Sequence, residues 1–293
     1  DTEKFAQEYE CQFLGSSGTL IEGGKLKTLV QKTPVIESGA IKMYEKPQED
    51  KIYATIVDVS RGKGLDYSAF QVIDVTEMPY KQVCVYRDNY ITPAEYAEVI
   101  YRTCKSYNEA TILVEINDIG EQVAELIHFE FEYENILFTE SAGRSGKRIS
   151  SGFSKRCDKG IRTTKSVKSV GCSILKLLIE QDQLIVQDYQ TIKELSTFSR
   201  RKNSFEAESG AHDDLVMCLV LFAWLSDQAY FKEMTDINTL IELREKSEKE
   251  MMDNLLPFGF HDDGLPEEDT IDIAPRDPFD MSGYITAGNF DSF

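Results

Sequence analysis

The sequence predicts an α/β fold, a mixed central sheet with helices on both faces, and three observations carry that prediction. Three segments rich in Ile, Val and Tyr follow one another across short turns between Lys51 and Tyr90. Segments of strand and helix character then alternate. Finally, Leu215–Leu225 is apolar for eleven residues without a break, as a helix buried on every side would be. That run is well short of the roughly 18 residues that suggest a membrane span. With 293 residues, 41% of them apolar, the chain can bury a substantial core and leave residues over for linkers and tails.

Each element follows from local pattern. The first fifty residues carry Gly23-Gly24, Pro34 and Pro47 with little periodicity, so 1–48 reads as a short helical start and a linker belonging to an upstream domain. Lys51–Asp58, Ala69–Val75 and Gln82–Tyr90 read as hairpin-linked strands, with turns at Gly62/Gly64 and Met78-Pro79. Thr92 as N-cap and Pro93 after it open a helix to about Tyr107. Thr111–Ile116 is then a buried strand, Asp118 is expected to cap a helix to about Phe129, and Asn135–Thr139 is another strand. Thr163–Glu180 places Val167, Val170, Ile174, Leu175 and Leu178 on one helical stripe, followed by a strand at Leu184–Gln187 and a second stripe from Tyr189. The all-apolar helix runs Asp213–Asp227. A globular domain over 49–228 results, and 229–293 reads as an acidic helix (Ile237–Met252) with an irregular tail.

Charge is unevenly spread. The net value of −19 argues against a generic nucleic-acid coat, but 227–293 alone hold 17 acids and 5 bases, so 5 − 17 = −12 lies there. In contrast 142–168 hold nine bases (Arg144, Lys147, Arg148, Lys155, Arg156, Lys159, Arg162, Lys165 and Lys168) against Asp158 alone, so 9 − 1 = +8. Cations strung along a loop suit contact with DNA phosphates, which position the duplex without reading its sequence; a solvated basic loop is the plainer alternative. No signal peptide is predicted from the first ten residues. Six cysteines, the closest pair fifteen residues apart, match neither zinc spacing nor a disulfide scaffold and are expected as reduced cytosolic thiols.

Nucleotide-binding patterns fail on inspection. Ser141–Arg148 resembles a phosphate-binding loop, but Ser141 replaces the first Gly and Arg148 the Ser/Thr; Gly62-Lys-Gly64 begins a dinucleotide pattern that Tyr67 breaks. Neither an ATP site nor another cofactor-binding site is expected here.

Three acids interrupt segments that should be buried: Asp58 ends the first core strand, Glu115 lies in Thr-Ile-Leu-Val-Glu-Ile, and Asp213-Asp214 opens the apolar helix. A buried carboxylate is costly unless paired or bound to a cation, and no Lys or Arg is locally placed to pair with these. Singly, Asp58 reads as a turn former, Glu115 as an edge-strand residue and Asp213 as an N-cap. Together they suggest a shared cation. Mg2+ and Mn2+ take oxygen ligands, and two such ions about 4 Å apart can activate water and stabilise a leaving oxygen of a phosphodiester.

The strings Asp58-Val-Ser-Arg-Gly-Lys-Gly-Leu-Asp66-Tyr, Glu115-Ile-Asn-Asp-Ile-Gly120 and His212-Asp213-Asp214-Leu-Val-Met resemble the three acidic motifs of the nuclease domain in large terminase subunits of T4-like tailed phages. Phe5-Ala-Gln-Glu-Tyr-Glu-Cys11 resembles the end of that family's ATPase domain, and the likeness extends to about Asp227. It implies an RNase H-like (RuvC/integrase-like) fold, with which the element order is compatible. The implied activity is metal-dependent endonucleolytic cutting of concatemeric double-stranded DNA at initiation and termination of packaging, with ATP hydrolysis in another domain. By the resemblance, Asp58, Glu115 and Asp214 are the catalytic, metal-binding carboxylates, with Asp213 as a further candidate ligand. Asp66 reads as a turn residue and His212 as a helix-start hydrogen-bonding residue. The implied cofactor is a pair of Mg2+ or Mn2+ ions without zinc; the implied partners are double-stranded DNA, the portal protein and the small terminase subunit, with no membrane. The implied location is the host cytoplasm, transiently docked on the procapsid portal. Two alternatives stay open: a RuvC-like junction resolvase or transposase-type nuclease, which shares the acids, and a non-catalytic DNA clamp or portal-docking module, in which they are structural.

Overall fold

The stretch expected to be a linker is instead woven into the sheet. In the computed structural model, which describes residues 18–61, 64, 66–141, 147–150, 157–202, 204–233 and 235, this region contributes α1 (Gly23–Leu26) and the hairpin β1 (Ile36–Ser38) and β2 (Ile41–Met43). Leu20, Ile21 and Leu26 are fully or almost fully buried. The hairpin lacks a legible alternation because β1 is exposed along its whole length. The Phe5–Cys11 string and the helix expected at Ile237–Met252 lie outside the described residues.

The three hairpin-linked strands form as β3 (Tyr53–Asp58), β4 (Ser68–Asp74) and β5 (Tyr80–Asp88), each antiparallel to the next. Thr92 and Glu95 then form a reciprocal capping box at the start of α2 (Pro93–Ser106), and β6 (Thr111–Val114) adds parallel to β3. Among the described residues the sheet order is β1-β2-β5-β4-β3-β6, with β10 (Leu184–Ile185) parallel to the start of β5. The outer side of β6 is covered by isolated parallel bridges, Ile112 to Ile136 and Glu115 to Ile161. A separate three-stranded sheet comprises β7 (Phe138–Ser141), β8 (Lys147–Ser150) and β9 (Asp158–Lys159). The strand expected over Asn135–Thr139 is therefore divided between a bridge and the start of β7.

The helix after β6 departs from expectation. α3 (Gly120–Glu125) has Ile119 at its N-cap without a side-chain bond, and a π-helical turn, Leu126–Glu130, continues it. Asp118 does not cap it; with φ of 53° it turns the chain and pairs with Arg61. The reason is steric. A Cβ on Gly120 would sit 1.9 Å from the Glu115 carbonyl oxygen, so the chain returns tightly enough over β6 that only glycine fits.

Helices α2 and α3 cover one face of the sheet; α4 (Lys165–Glu180), α5 (Tyr189–Thr197) and α6 (Asp214–Ser226) cover the other. β11 (Phe198–Arg201) and β12 (Ser204–Ala207) form a hairpin before α6. α6 touches β3 and β4 on one side and α4 and α5 on the other, which is why it is apolar all round. A Cβ on Gly171 of α4 would lie 2.3 Å from the Val220 carbonyl oxygen, so these two helices meet almost backbone to backbone. No described helix is long and apolar enough to cross a membrane.

Candidate metal centre

Strand pleating decides which way the acids point. On β3, Ala54 and Ile56 enter the core under α6 whereas Tyr53 and Val57 enter the core under α2, so Asp58 shares the α6 face. On β6, Leu113 faces α6 while Ile112 and Val114 face α2, which sends Glu115 to the α6 side as well. The parallel register pairs Val57 with Val114, and the Glu115 N–H donates to the Val57 carbonyl at 2.8 Å. Asp58 and Glu115 are therefore neighbours at the carboxyl ends of adjacent parallel strands, with Asp214 arriving above them at the start of α6.

The environment of Asp58 and of Asp214 resists charge. Burial pushes Asp58 well above the ordinary carboxylate range; the charge of Glu115, a hydrogen bond with it, and the charges of Asp214 and Asp213 push the same way. Glu115 is 9% exposed, and Asn117 Nδ2 donates to its Oε1 at 2.8 Å. Asp214 is raised to about 6, first by burial and then by Asp213 and Asp66, while Arg87 and the Tyr67 N–H oppose the rise. Its Oδ1 accepts from Tyr67 N at 3.3 Å; its Oδ2 is buried with no hydrogen-bond partner and lies 3.8 Å from His212 Nδ1. Asp66 is exposed and receives the Ser60 hydroxyl at its carbonyl, as a turn residue does. His212 stands edge-on to Tyr67 with ring centroids 4.9 Å apart.

Asp213 behaves differently from its neighbour. It is 30% exposed, makes no cap bond, accepts weakly from Ala207 N at 3.4 Å and lies 3.9 Å from Lys168 Nζ. No base is locally placed to pair with these acids, but Lys168 and Arg87 approach Asp213 and Asp214 from distant elements that local sequence does not connect to them. Among the described residues no three Asp, Glu, His or Cys side chains are closed to the spacing of a ready cation cage. Asp58 and Glu115 share a hydrogen bond, and Asp214 couples to Asp58 through its charge alone. An all-oxygen donor set, like charges forced together and an orphaned buried oxygen fit a hard divalent cation.

The sequence reasoning missed Glu194, Arg87 and Tyr67. Glu194 of α5 is 6% exposed, and its Oε2 accepts from Leu215 N at 2.8 Å and Val216 N at 3.2 Å. Burial raises its carboxyl to about 8 against the opposing charge of Arg87, whose Nη2 lies 3.3 Å away. A signal existed: Glu194 sits between Ile192 and Leu195 on the buried side of its helix. A cavity of about 440 Å³ lined by Tyr67, Arg87, Lys193, Glu194 and His212 borders this group.

The terminase RNase H-like domain family matches residues 55–236, well over half of the chain and all three acidic positions. The chain belongs to this family. Among solved structures, the large terminase nuclease of thermophilic phage G20c shares its fold. One G20c structure aligns at 23% identity with a TM-score of 0.54, over 72% of this chain and 100% of the other. The magnesium-bound and cobalt-bound forms align at 22% identity with TM-scores of 0.54 and 0.53, each over 72% of this chain and 98% of the other. The expected RNase H-like sheet is thus present, and membership in the terminase family sets aside the resolvase and transposase alternative.

The basic segment of this terminase domain is less free than its count suggests. Arg144, Lys155 and Arg156 lie outside the described residues. Lys147 is 12% exposed and pairs with Asp158 at 2.6 Å. Arg148 pairs with Glu140 at 2.6 Å, Arg162 with Glu121 at 3.1 Å, and Lys159 lies 3.9 Å from Glu125 and over the Phe129 ring. Lys165 is exposed at the start of α4, and Lys168 faces Asp213. Four acids outside 142–168, Glu140, Glu121, Glu125 and Asp213, thus face four of these bases.

Proposed function

We propose that this terminase domain is a divalent-metal-dependent endonuclease that cuts concatemeric double-stranded DNA at initiation and termination of genome packaging. The observation that carries the reading is that Asp58 and Glu115 lie side by side at the ends of adjacent parallel strands while Asp214 opens α6, and that burial first, then the charges of Glu115 and Asp214, raise Asp58. Asp58, Glu115 and Asp214 would hold Mg2+ or Mn2+, as oxygen-only donors favour over zinc, with Asp213 at the margin. Such ions supply charge neutralisation at the scissile phosphate and lower the pKa of water. The protein's part is orientation: Asn117 fixes one Glu115 oxygen, the Tyr67 N–H fixes one Asp214 oxygen, and the pleat fixes Asp58 beside Glu115.

DNA would approach over Arg148, Lys159, Arg162 and Lys165, together with Arg144, Lys155 and Arg156. Exposed ion pairs are worth about 0–1 kcal/mol, so Arg148 and Arg162 can exchange a carboxylate for a phosphate cheaply. Lys147 is better explained as structural. Phosphate contacts of this kind make cutting largely independent of sequence. In this proposal the domain works in the host cytoplasm docked on the procapsid portal, beside the portal protein and the small terminase subunit, with ATP-driven translocation performed elsewhere in the motor.

The test is incubation of the purified chain with supercoiled plasmid and Mg2+ or Mn2+, with and without EDTA. Nicking and linearisation that EDTA abolishes is the expected result; no cleavage with either ion would favour the clamp or portal-docking alternative.

A further inference from the structure

A helix that starts inside a core needs its first N–H groups satisfied, and the residue at the N-cap of α6 does not do this, since Asp213 makes no side-chain cap bond. Glu194 does so from another helix, accepting from both Leu215 and Val216. We infer that Glu194 is a positioning residue for the metal site: with Arg87 and Tyr67 it closes a brace that fixes the first turn of α6, so that Asp214 faces Asp58 and Glu115. This rests on the nuclease proposal above.

The brace runs through an ion pair without a hydrogen bond, a cation–π contact and one backbone hydrogen bond. Glu194 Oε1 lies 3.3 Å from Arg87 Nη2; the Arg87 guanidinium lies 3.5 Å above the centre of the Tyr67 ring; and Tyr67 N donates to Asp214 Oδ1. From the sheet, Gln71 Nε2 donates to the Leu215 carbonyl at 2.7 Å and anchors the same turn. The division of labour has a chemical consequence. Had Asp213 or Asp214 capped its own helix, that carboxylate would be occupied by backbone N–H groups. With a cap supplied from α5, one Asp214 oxygen is oriented by Tyr67 and the other stays uncommitted. Arg87, a single cation facing both Glu194 and Asp214, limits their repulsion across the turn.

The experiment titrates the full chain, stripped with EDTA, with Mn2+ by calorimetry, and records melting of the metal-free protein in parallel. The variants are Glu194→Ala, Glu194→Gln, Arg87→Gln and Asp214→Asn. Removing partners that orient metal ligands weakens sites roughly 10–100-fold, and Glu194→Ala is expected to raise the half-saturating Mn2+ concentration within that range. Glu194→Gln, whose amide oxygen can accept the same two N–H groups, should recover most of the loss. A lowered melting point with unchanged Mn2+ half-saturation would show a purely structural cap and overturn the inference. Should Glu194→Ala fail to fold, Arg87→Gln carries the same two outcomes. If the wild type binds no Mn2+, or Asp214→Asn binds it equally well, the nuclease proposal itself fails; if Asp214→Asn loses Mn2+ while Glu194→Ala retains it, only the brace fails.

Discussion

The two faces of one sheet divide the work of this domain. Under α2 the strands present Tyr53, Val57, Phe70, Val72 and Tyr86, with Phe70 stacked on Tyr86 at a centroid distance of 5.1 Å and the one buried acid beside Tyr53, Asp74, neutralised by Lys51 at 2.7 Å. Under α6 the same strands present Asp58, Glu115 and Gln71, met by Asp214 and Glu194. Alternate residues of the same chain therefore build a packing face and a chemical face, and the apolar one gives the rigidity that lets the polar one hold like charges together. Stability and activity should respond to substitution on opposite sides.

The largest separation is expected on the acid face. Asp58→Asn, Glu115→Gln and Asp214→Asn should each lower plasmid cleavage by roughly a thousandfold or more, since metal stabilisation of developing charge is worth several kcal/mol. Melting of the metal-free protein should not fall, because each change removes a crowded charge. A parallel loss of stability would erase the distinction between the faces.

Ile100→Ala on α2 should do the converse. Ile100 is fully buried, so denaturant unfolding should report a loss of about 2–5 kcal/mol. Cleavage per folded molecule should be unchanged.

Gly120→Ala tests the seam between the faces. Its Cβ would meet the Glu115 carbonyl at 1.9 Å, and overpacking of this kind costs about 1–3 kcal/mol, here with displacement of Glu115 and loss of cleavage. Retained activity would show that the turn after β6 does not position the acid.

A smaller effect is linked to pH. The folded-state pKa of Asp214, about 6, lies above the unfolded value of about 3.9, so its neutral form contributes stability present below the unfolded pKa and lost as pH rises through 6. Metal-free wild type should lose stability relative to Asp214→Asn as pH rises between about 4 and 6. Saturating Mn2+ should reverse the trend, because the ion favours the ionised carboxylates.

The smallest effects lie outside both faces. Arg148→Ala and Arg162→Ala should alter stability by less than about 0.5 kcal/mol, since their ion pairs are exposed. Each should reduce the salt slope of plasmid binding by roughly 1 if it meets a phosphate.

Legibility in the sequence follows the same division. β3 to β5, α2 and α6 could be read because periodicity and capping residues state burial directly, and Asp58, Glu115 and the Asp213-Asp214 pair showed as acids interrupting segments expected to be buried, with the choice of Asp214 coming from the family resemblance alone. The β1–β2 hairpin could not, since an exposed strand carries no alternation, nor could the turn at Asp118, which is dictated by the close return of Gly120 over β6. Glu194 and Arg87 act across 107 positions of chain, 194 − 87, so no local pattern joins them. The same holds for Lys168 and Asp213, and for Arg162 and Glu121.

In the proposed nuclease, Asp58, Glu115 and Asp214 together hold a divalent cation. Crystals of the domain soaked in Mn2+, with anomalous differences collected at the manganese edge, test it most directly. An anomalous peak bounded by carboxylate oxygens of all three residues, and lost in Asp58→Asn, is the expected result. A peak elsewhere, or none at saturating Mn2+, would contradict it.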